Sequence, residues 1–197
     1  MFWLLTALWA AGLVLSSFGP ADRLTWLMEV LPALIAWPIL FVTRARFRFS
    51  DLAMALIALH GLILMLGGAY TYARVPLGFW LQDLLSLERN PYDRIGHLAQ
   101  GFVPAIVARE LLIRVFRIGH AKLVGFLAVC ICLAISAVYE LIEWAAALSL
   151  GQGADEFLGT QGDEWDTQSD MFMALLGALA ALLLAPWHDR RMRAVKG

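Results

Sequence analysis

Six stretches of this chain are apolar over about the length a helix needs to cross a lipid bilayer. They fall at residues 2–18, 24–42, 51–69, 92–113, 123–148 and 170–187. A span takes ~20 mostly apolar residues, because the hydrocarbon core is ~30 Å thick and a helix rises ~1.5 Å per residue. Backbone N–H and C=O groups find no water inside a bilayer. A spanning chain therefore closes its hydrogen bonds within helices or in a sealed barrel. Runs of this length make helices. Composition agrees: 61% of the residues are hydrophobic and 16% are charged, against ~45–50% and ~25% in soluble domains. No internal repeat or low-complexity linker divides the chain, so residues 1–197 read as one transmembrane domain. The expected fold is all-α, a polytopic membrane helical bundle of six transmembrane helices with both termini cytoplasmic.

Charge sets that orientation. Arg44, Arg46 and Arg48 follow the second stretch, and Arg114, Arg117 and Lys122 follow the fourth. Arg190, Arg191, Arg193 and Lys196 follow the sixth. The alternate loops carry only Arg23, Arg74, Arg89 and Arg94. Short basic loops stay on the cytoplasmic side, and an even number of spans puts all three rich segments there. Residues 2–18 lack the basic start and small-residue cleavage site of a secretory signal, so they read as a retained span. The loop at 152–169 then faces outward. So does 74–91, whose leucines and Trp80 suit either a helix lying on the membrane surface or a lid over the bundle.

The polar residues inside the apolar stretches carry the functional signal. An ionisable group in hydrocarbon costs ~2.5–3.5 kcal/mol on the insertion scale, so it normally faces the bundle interior. Asp93, His97 and Gln100 repeat at i, i+4 and i+7 and share one helix face. Ser136, Glu140 and Glu143 do the same near the outer end of the fifth stretch, beside Tyr139. The segment GTQGDEWDTQSD supplies Asp163, Asp166 and Asp170, again on one face if helical. Asp155 and Glu156 precede it, Glu164 lies within it, and no Lys or Arg interrupts it. Counted from the outer ends, His97, Glu140, Glu143 and Asp170 fall at one depth.

One imidazole among several carboxylates suits a divalent metal such as zinc, manganese, iron or magnesium. In that reading Asp93, His97, Asp163, Asp166 and Asp170 are the metal-ligating candidates, with Asp93 alternatively orienting the His97 ring. Glu140 and Glu143 are ligands or a catalytic acid/base pair. The competing reading is a polar seam. Asp163, Asp166 and Asp170 precede or open a helix, where carboxylates cap free N–H groups. Glu140 and Glu143 would then pair with Arg94 or His97.

Other polar groups are read more plainly. Glu29 is a further candidate for the outer layer. His60 reads as a hydrogen bond to a neighbouring helix. Arg109 and Glu110 read as an interfacial pair, and His120 and His188 as surface residues. Cys130 and Cys132 are two apart on one helix and cannot pair locally. No basic patch with interleaved aromatics marks a nucleic-acid surface.

Three motifs in order, YDRIGHLAQGFVPA, AVYELIEW and FLGTQGDEWDTQSDMFMALLGA, resemble the YjdF-like family of bacterial inner-membrane proteins. The resemblance implies location and topology rather than an activity. More distantly, Asp93/His97, Tyr139/Glu140 and Asp166/Asp170 are similar to a pattern in VanZ-like membrane proteins, linked to glycopeptide resistance. There, a glutamine follows the Tyr-Glu pair and an asparagine lies in the last helix, whereas this chain has Glu143 and 171–176.

The functional expectation is an outward-facing acidic/His pocket that binds a divalent cation and acts on a lipid or envelope-precursor head group, as a metal-dependent membrane hydrolase would. The alternatives are a small transporter or ion-binding module, and a structural or partner-binding membrane protein. The expected partner is the lipid bilayer.

Overall fold

The computed structural model describes residues 1–150 and 161–193, and every described element is helical or a turn. Asp155, Glu156 and Lys196 lie outside the described residues. Helix α1 spans Phe2–Ser17, α2 Arg23–Thr43, α3 Asp51–Tyr70, α4 Pro76–Leu85 and α5 Tyr92–Glu110. A π-helical turn, Leu111–Val115, continues α5. Then follow α6 (Ala121–Leu150), α7 (Asp166–Leu183) and α8 (Ala185–Arg193).

Local chemistry sets the boundaries. Asp22 caps α2 by accepting from Thr25 N–H at 2.7 Å, and that backbone bond holds its carboxyl below the usual range. Ser50 caps α3 in the same way. Thr71 then leaves α3 in the left-handed conformation, with φ at 56°. Pro76 opens α4, where its missing N–H costs nothing. α4 is a short, one-sided helix with Trp80 and Leu84 exposed, in keeping with a surface-lying segment.

Among the described residues, α2, α3 and α6 are each long and apolar enough to span a membrane, and α7 with α8 adds a fourth if its 63° bend lies within one span. Six were expected. The two that fall short do so for different reasons. α1 is apolar but has 16 residues, which at ~1.5 Å each reach ~24 Å of a ~30 Å core. α5 has 19 residues but carries the polar stripe, and it buries that stripe among its neighbours.

The helices form two groups. Trp9, Val30, Ala33, Trp37, Met54 and Met65 make a core among α1, α2 and α3. Ala53, Ala105, Ile106, Cys132, Ala178 and Ala181 make a second among α3, α5, α6 and α7. The outward faces are apolar instead of polar: Leu27, Leu31 and Ile35 of α2 and Leu141 and Ile142 of α6 are exposed, as lipid-facing surfaces are. The closest crossing is α5 against α7. A Cβ at Gly101 would collide with the Ala174 carbonyl, and one at Gly177 with the Leu98 carbonyl. Small residues bring the two backbones together, and that approach sets Asp93 and His97 beside Asp170.

The arginine-rich end of the bundle corrects two expectations. Arg109 and Glu110 do not pair with each other: Arg109 reaches Asp189 at 2.6 Å. Glu110 is fully buried, accepting from Ser50 N–H at 2.9 Å and from the Ser50 hydroxyl, and pairing with Arg114 at 3.0 Å. His188 is not a surface residue. It is fully buried, with Nε2 3.0 Å from Glu110, because the bend after α7 folds α8 back over α3. A buried carboxylate needs several partners to offset desolvation, and Glu110 collects them from three segments.

Candidate functional site

Three helices bring the site together. The i, i+4 spacing of Asp93 and His97 stacks both on one face of α5, and Asp170 faces them from one turn into α7. His97 Nε2 lies 3.5 Å from Asp93 Oδ1 and 3.7 Å from Asp170 Oδ2. One ligand atom from each of the three falls within 4.8 Å of the other two, and all three residues are buried. On the far side of the ring, His97 Nδ1 is 3.9 Å from Glu140 Oε1 of α6.

These separations are informative. A good N–H···O bond is ~2.7–3.2 Å, so the contacts are long for hydrogen bonds. Two ligands on a tetrahedral ion with bonds of ~2.0–2.2 Å stand ~3.3–3.6 Å apart, which is close to what the Nε2 side offers. Asp93 Oδ2, His97 Nδ1, Glu140 Oε1 and Asp170 Oδ1 are buried with no hydrogen-bond partner among the described residues. Buried polar atoms are nearly always satisfied; here three carboxylate oxygens and one nitrogen of the His97 ring lie together without a partner among the described residues.

The remaining acidic residues divide. Asp166 is the first residue of α7, where an acid suits the positive end of the helix dipole, and is held by Arg89 at 2.7 Å. Asp163, in the turn before α7, lies 3.6 Å from Arg89 and 3.3 Å from Arg94. Arg89 lies in the loop before α5 and Arg94 in the first turn of α5, so these acids tie the start of α7 to the start of α5 at the mouth, apart from the three-residue cluster. Asn90 adds to this seam: its backbone N–H donates to Gln161 Oε1, and Gln161 Nε2 donates back to its carbonyl, each at 3.1 Å. Arg94, a possible partner for Glu140 and Glu143, is thus directed to Asp163.

Glu29 joins the layer from α2. It accepts from the Tyr139 hydroxyl at 2.5 Å, and the Tyr139 ring packs edge-on to His97 with centroids 6.3 Å apart. Glu143 sits one turn beyond Tyr139, within electrostatic range of Glu140, Glu29 and His97. These groups cluster at one end of a cavity of about 420 Å³ between the two helix groups. His60 also lines it, and its Nε2 has no partner among the described residues, instead of the hydrogen bond expected. Sequence spacing gave no place to Tyr72, which lines the same end from just past α3. The sign available was a tyrosine in a turn opposite an acidic helix start.

The model of a family described as "Predicted membrane protein (DUF2238)" matches residues 1–191. Inner membrane protein YjdF of Escherichia coli (strain K12) is 57% identical over 182 residues, covering 92% of this chain and 87% of that protein. The chain belongs to the DUF2238 family. It is an integral protein of the inner membrane, in accord with its apolar helices and the resemblance read from its motifs. No solved structure matches it.

Proposed function

We propose that this DUF2238 protein binds a divalent cation at Asp93, His97 and Asp170 and, through it, a polar head group at the outer surface of the inner membrane. The observation that carries the reading is the convergence of three buried ligand atoms within 4.8 Å, with unsatisfied oxygens on both carboxylates. In this reading His97 offers Nε2 and the two aspartates one oxygen each. Glu140 faces Nδ1 and orients the ring, a carboxylate–His–metal arrangement that also raises ligand basicity. Asp163 and Asp166 hold the mouth through Arg89 and Arg94. The mixed donor set suits zinc, manganese, iron or magnesium. A cation bound here would supply Lewis-acid chemistry toward a phosphoryl or acyl group and water, and Glu143, which lines the same cavity, would serve as the base.

The orientation belongs to the same proposal. α1 and α5 count as spans alongside α2, α3, α6 and α7, giving one six-span domain with both termini cytoplasmic. The 44–48 loop, the 114–122 segment and α8 hold the clustered basic residues and would lie inside, leaving the mouth at 86–91 and 161–165 outside.

A carrier needs polar groups along a route to the opposite face. Beyond His60 and Gln100 the cavity is walled by Val103, Val107, Leu40 and Leu111, which favours binding over transport. The test is manganese(II) titration of the protein in vesicles, followed by the paramagnetic resonance of free ion. The wild type should remove manganese stoichiometrically, and Asp170→Asn should not. Equal uptake by both would overturn the assignment, and no uptake by either would leave a structural polar seam.

A further inference from the structure

The same cavity extends well past the polar cluster. On α2 its wall runs from Glu29 to Leu40, eleven helical steps or roughly 16 Å at ~1.5 Å per residue. That is about half of a ~30 Å hydrocarbon core, the depth of one leaflet. All along this length it lies inside helices that cross the membrane. Its volume, about 420 Å³, is within the ~300–1,000 Å³ typical of sites that enclose a small molecule.

It opens sideways. Pro32 and Ile39 of α2 and Ile135 of α6 line the cavity and are also exposed on the apolar flank of the bundle. α2 packs on α3, while α6 packs on α5 and α7; the cavity occupies the cleft between them. Near the top the cleft is bridged by Tyr139 and Glu29. Below that bridge the mouth faces lipid, with Trp37, Val103 and Val107 at the back.

A void of this size is not left empty in a bilayer, because its walls would forfeit their dispersion contacts. Water suits the polar end, where Glu29, His60, Gln100 and Tyr139 offer it partners, but is a poor filling for the stretch walled by Trp37, Val103, Val107 and Leu111. The chain of a lipid fits both walls and mouth. We propose that the cavity holds one hydrocarbon chain of an outer-leaflet membrane lipid, admitted between α2 and α6, with the lipid's head group against the Asp93–His97–Asp170 cluster. This deepens the proposed function by naming the substrate class as a membrane lipid, and it rests on that reading for the head-group end and for which leaflet supplies the lipid. The chain site stands on the cavity's depth, lateral mouth and apolar walls.

The experiment uses a phosphatidylglycerol with a diazirine partway along one acyl chain, in vesicles of phosphatidylethanolamine and phosphatidylglycerol containing the full-length protein. After illumination, adducts are mapped by mass spectrometry. The expected result is labelling at Trp37, Val103 and Val107, which face the cavity, besides ordinary annular labelling at exposed Leu141 and Ile142. Ala36→Trp and, separately, Ile135→Trp should abolish the inner adducts and keep the annular ones. Annular adducts alone in the wild type would overturn the proposal without need of any variant, as would inner adducts that survive both blocks in folded protein. Manganese uptake is measured on the same vesicles. Uptake without inner adducts sinks the chain site alone; inner adducts without uptake sink the cation reading alone.

Discussion

The Tyr139 hydroxyl donates to Glu29 Oε2 at 2.5 Å, spanning the cleft between α6 and α2. The two helices belong to different halves of the bundle, and the bond closes the cavity just above its lipid-facing mouth. Glu29 is buried, with the Tyr139 hydroxyl as its main donor and Tyr72 as a weaker second one.

Tyr139→Phe should therefore lower stability by about 1–3 kcal/mol, the cost of leaving a buried acceptor without its partner. Tyr139→Phe combined with Glu29→Gln should recover part of the loss, because a neutral amide is cheaper to bury than a carboxylate. Thermal melting in detergent reads both. An unchanged midpoint for the single variant would show that the bond contributes nothing.

Packing against α7 predicts opposite outcomes for two glycines, Gly101 of α5 and Gly125 of α6. At Gly101 an added methyl meets the Ala174 carbonyl, backbone that cannot swing aside. Gly101→Ala should cost about 1–3 kcal/mol through overpacking and should weaken cation uptake by parting Asp93 and His97 from Asp170. At Gly125 the nearest atom to such a methyl is Leu182 Cδ1 at 3.5 Å, an ordinary contact. Gly125→Ala should be neutral or stabilising, by up to ~1 kcal/mol of helix propensity.

The fold was largely legible in the chain, and physical reasons explain where it was not. Apolar length alone located α1, α2, α3 and α6 to within a few residues, because a bilayer imposes one length scale on every span. The spacing of Asp93 and His97 placed both on one face of α5, and depth counting brought Asp170 and Glu140 to that face. Pairing of the outer acids was hidden. Asp163 and Asp166 have no cation near them in sequence, yet Arg94 reaches Asp163 from 69 residues earlier and Arg89 reaches Asp166 from 77 residues earlier. His188 was obscured by its basic neighbours, since nothing local announces that a 63° bend will carry it under α3. The cavity has no periodicity at all; it is the space left where α2 and α6 fail to meet.

Arg89 and Asp166 anchor the loops over the site while standing apart from the cation cluster. Asp166→Asn should cost about 1–3 kcal/mol by removing the nearer of the carboxylates that offset a largely buried guanidinium, and should leave the stoichiometry of cation uptake unchanged. Loss of uptake in folded Asp166→Asn would place Asp166 among the ligands.

At the opposite end, His188 pins α8 through Glu110 at 3.0 Å. His188→Ala should destabilise the protein by about 1–3 kcal/mol and open the region after Leu183 to limited proteolysis. Unchanged cleavage would mean that Arg109–Asp189 holds α8 by itself.

The most direct test of the central claim is elemental analysis of the purified protein, wild type beside His97→Ala, with both confirmed folded by their melting transitions. The account predicts close to one divalent metal per wild-type chain and little in the variant. Equal metal in the two proteins would contradict it.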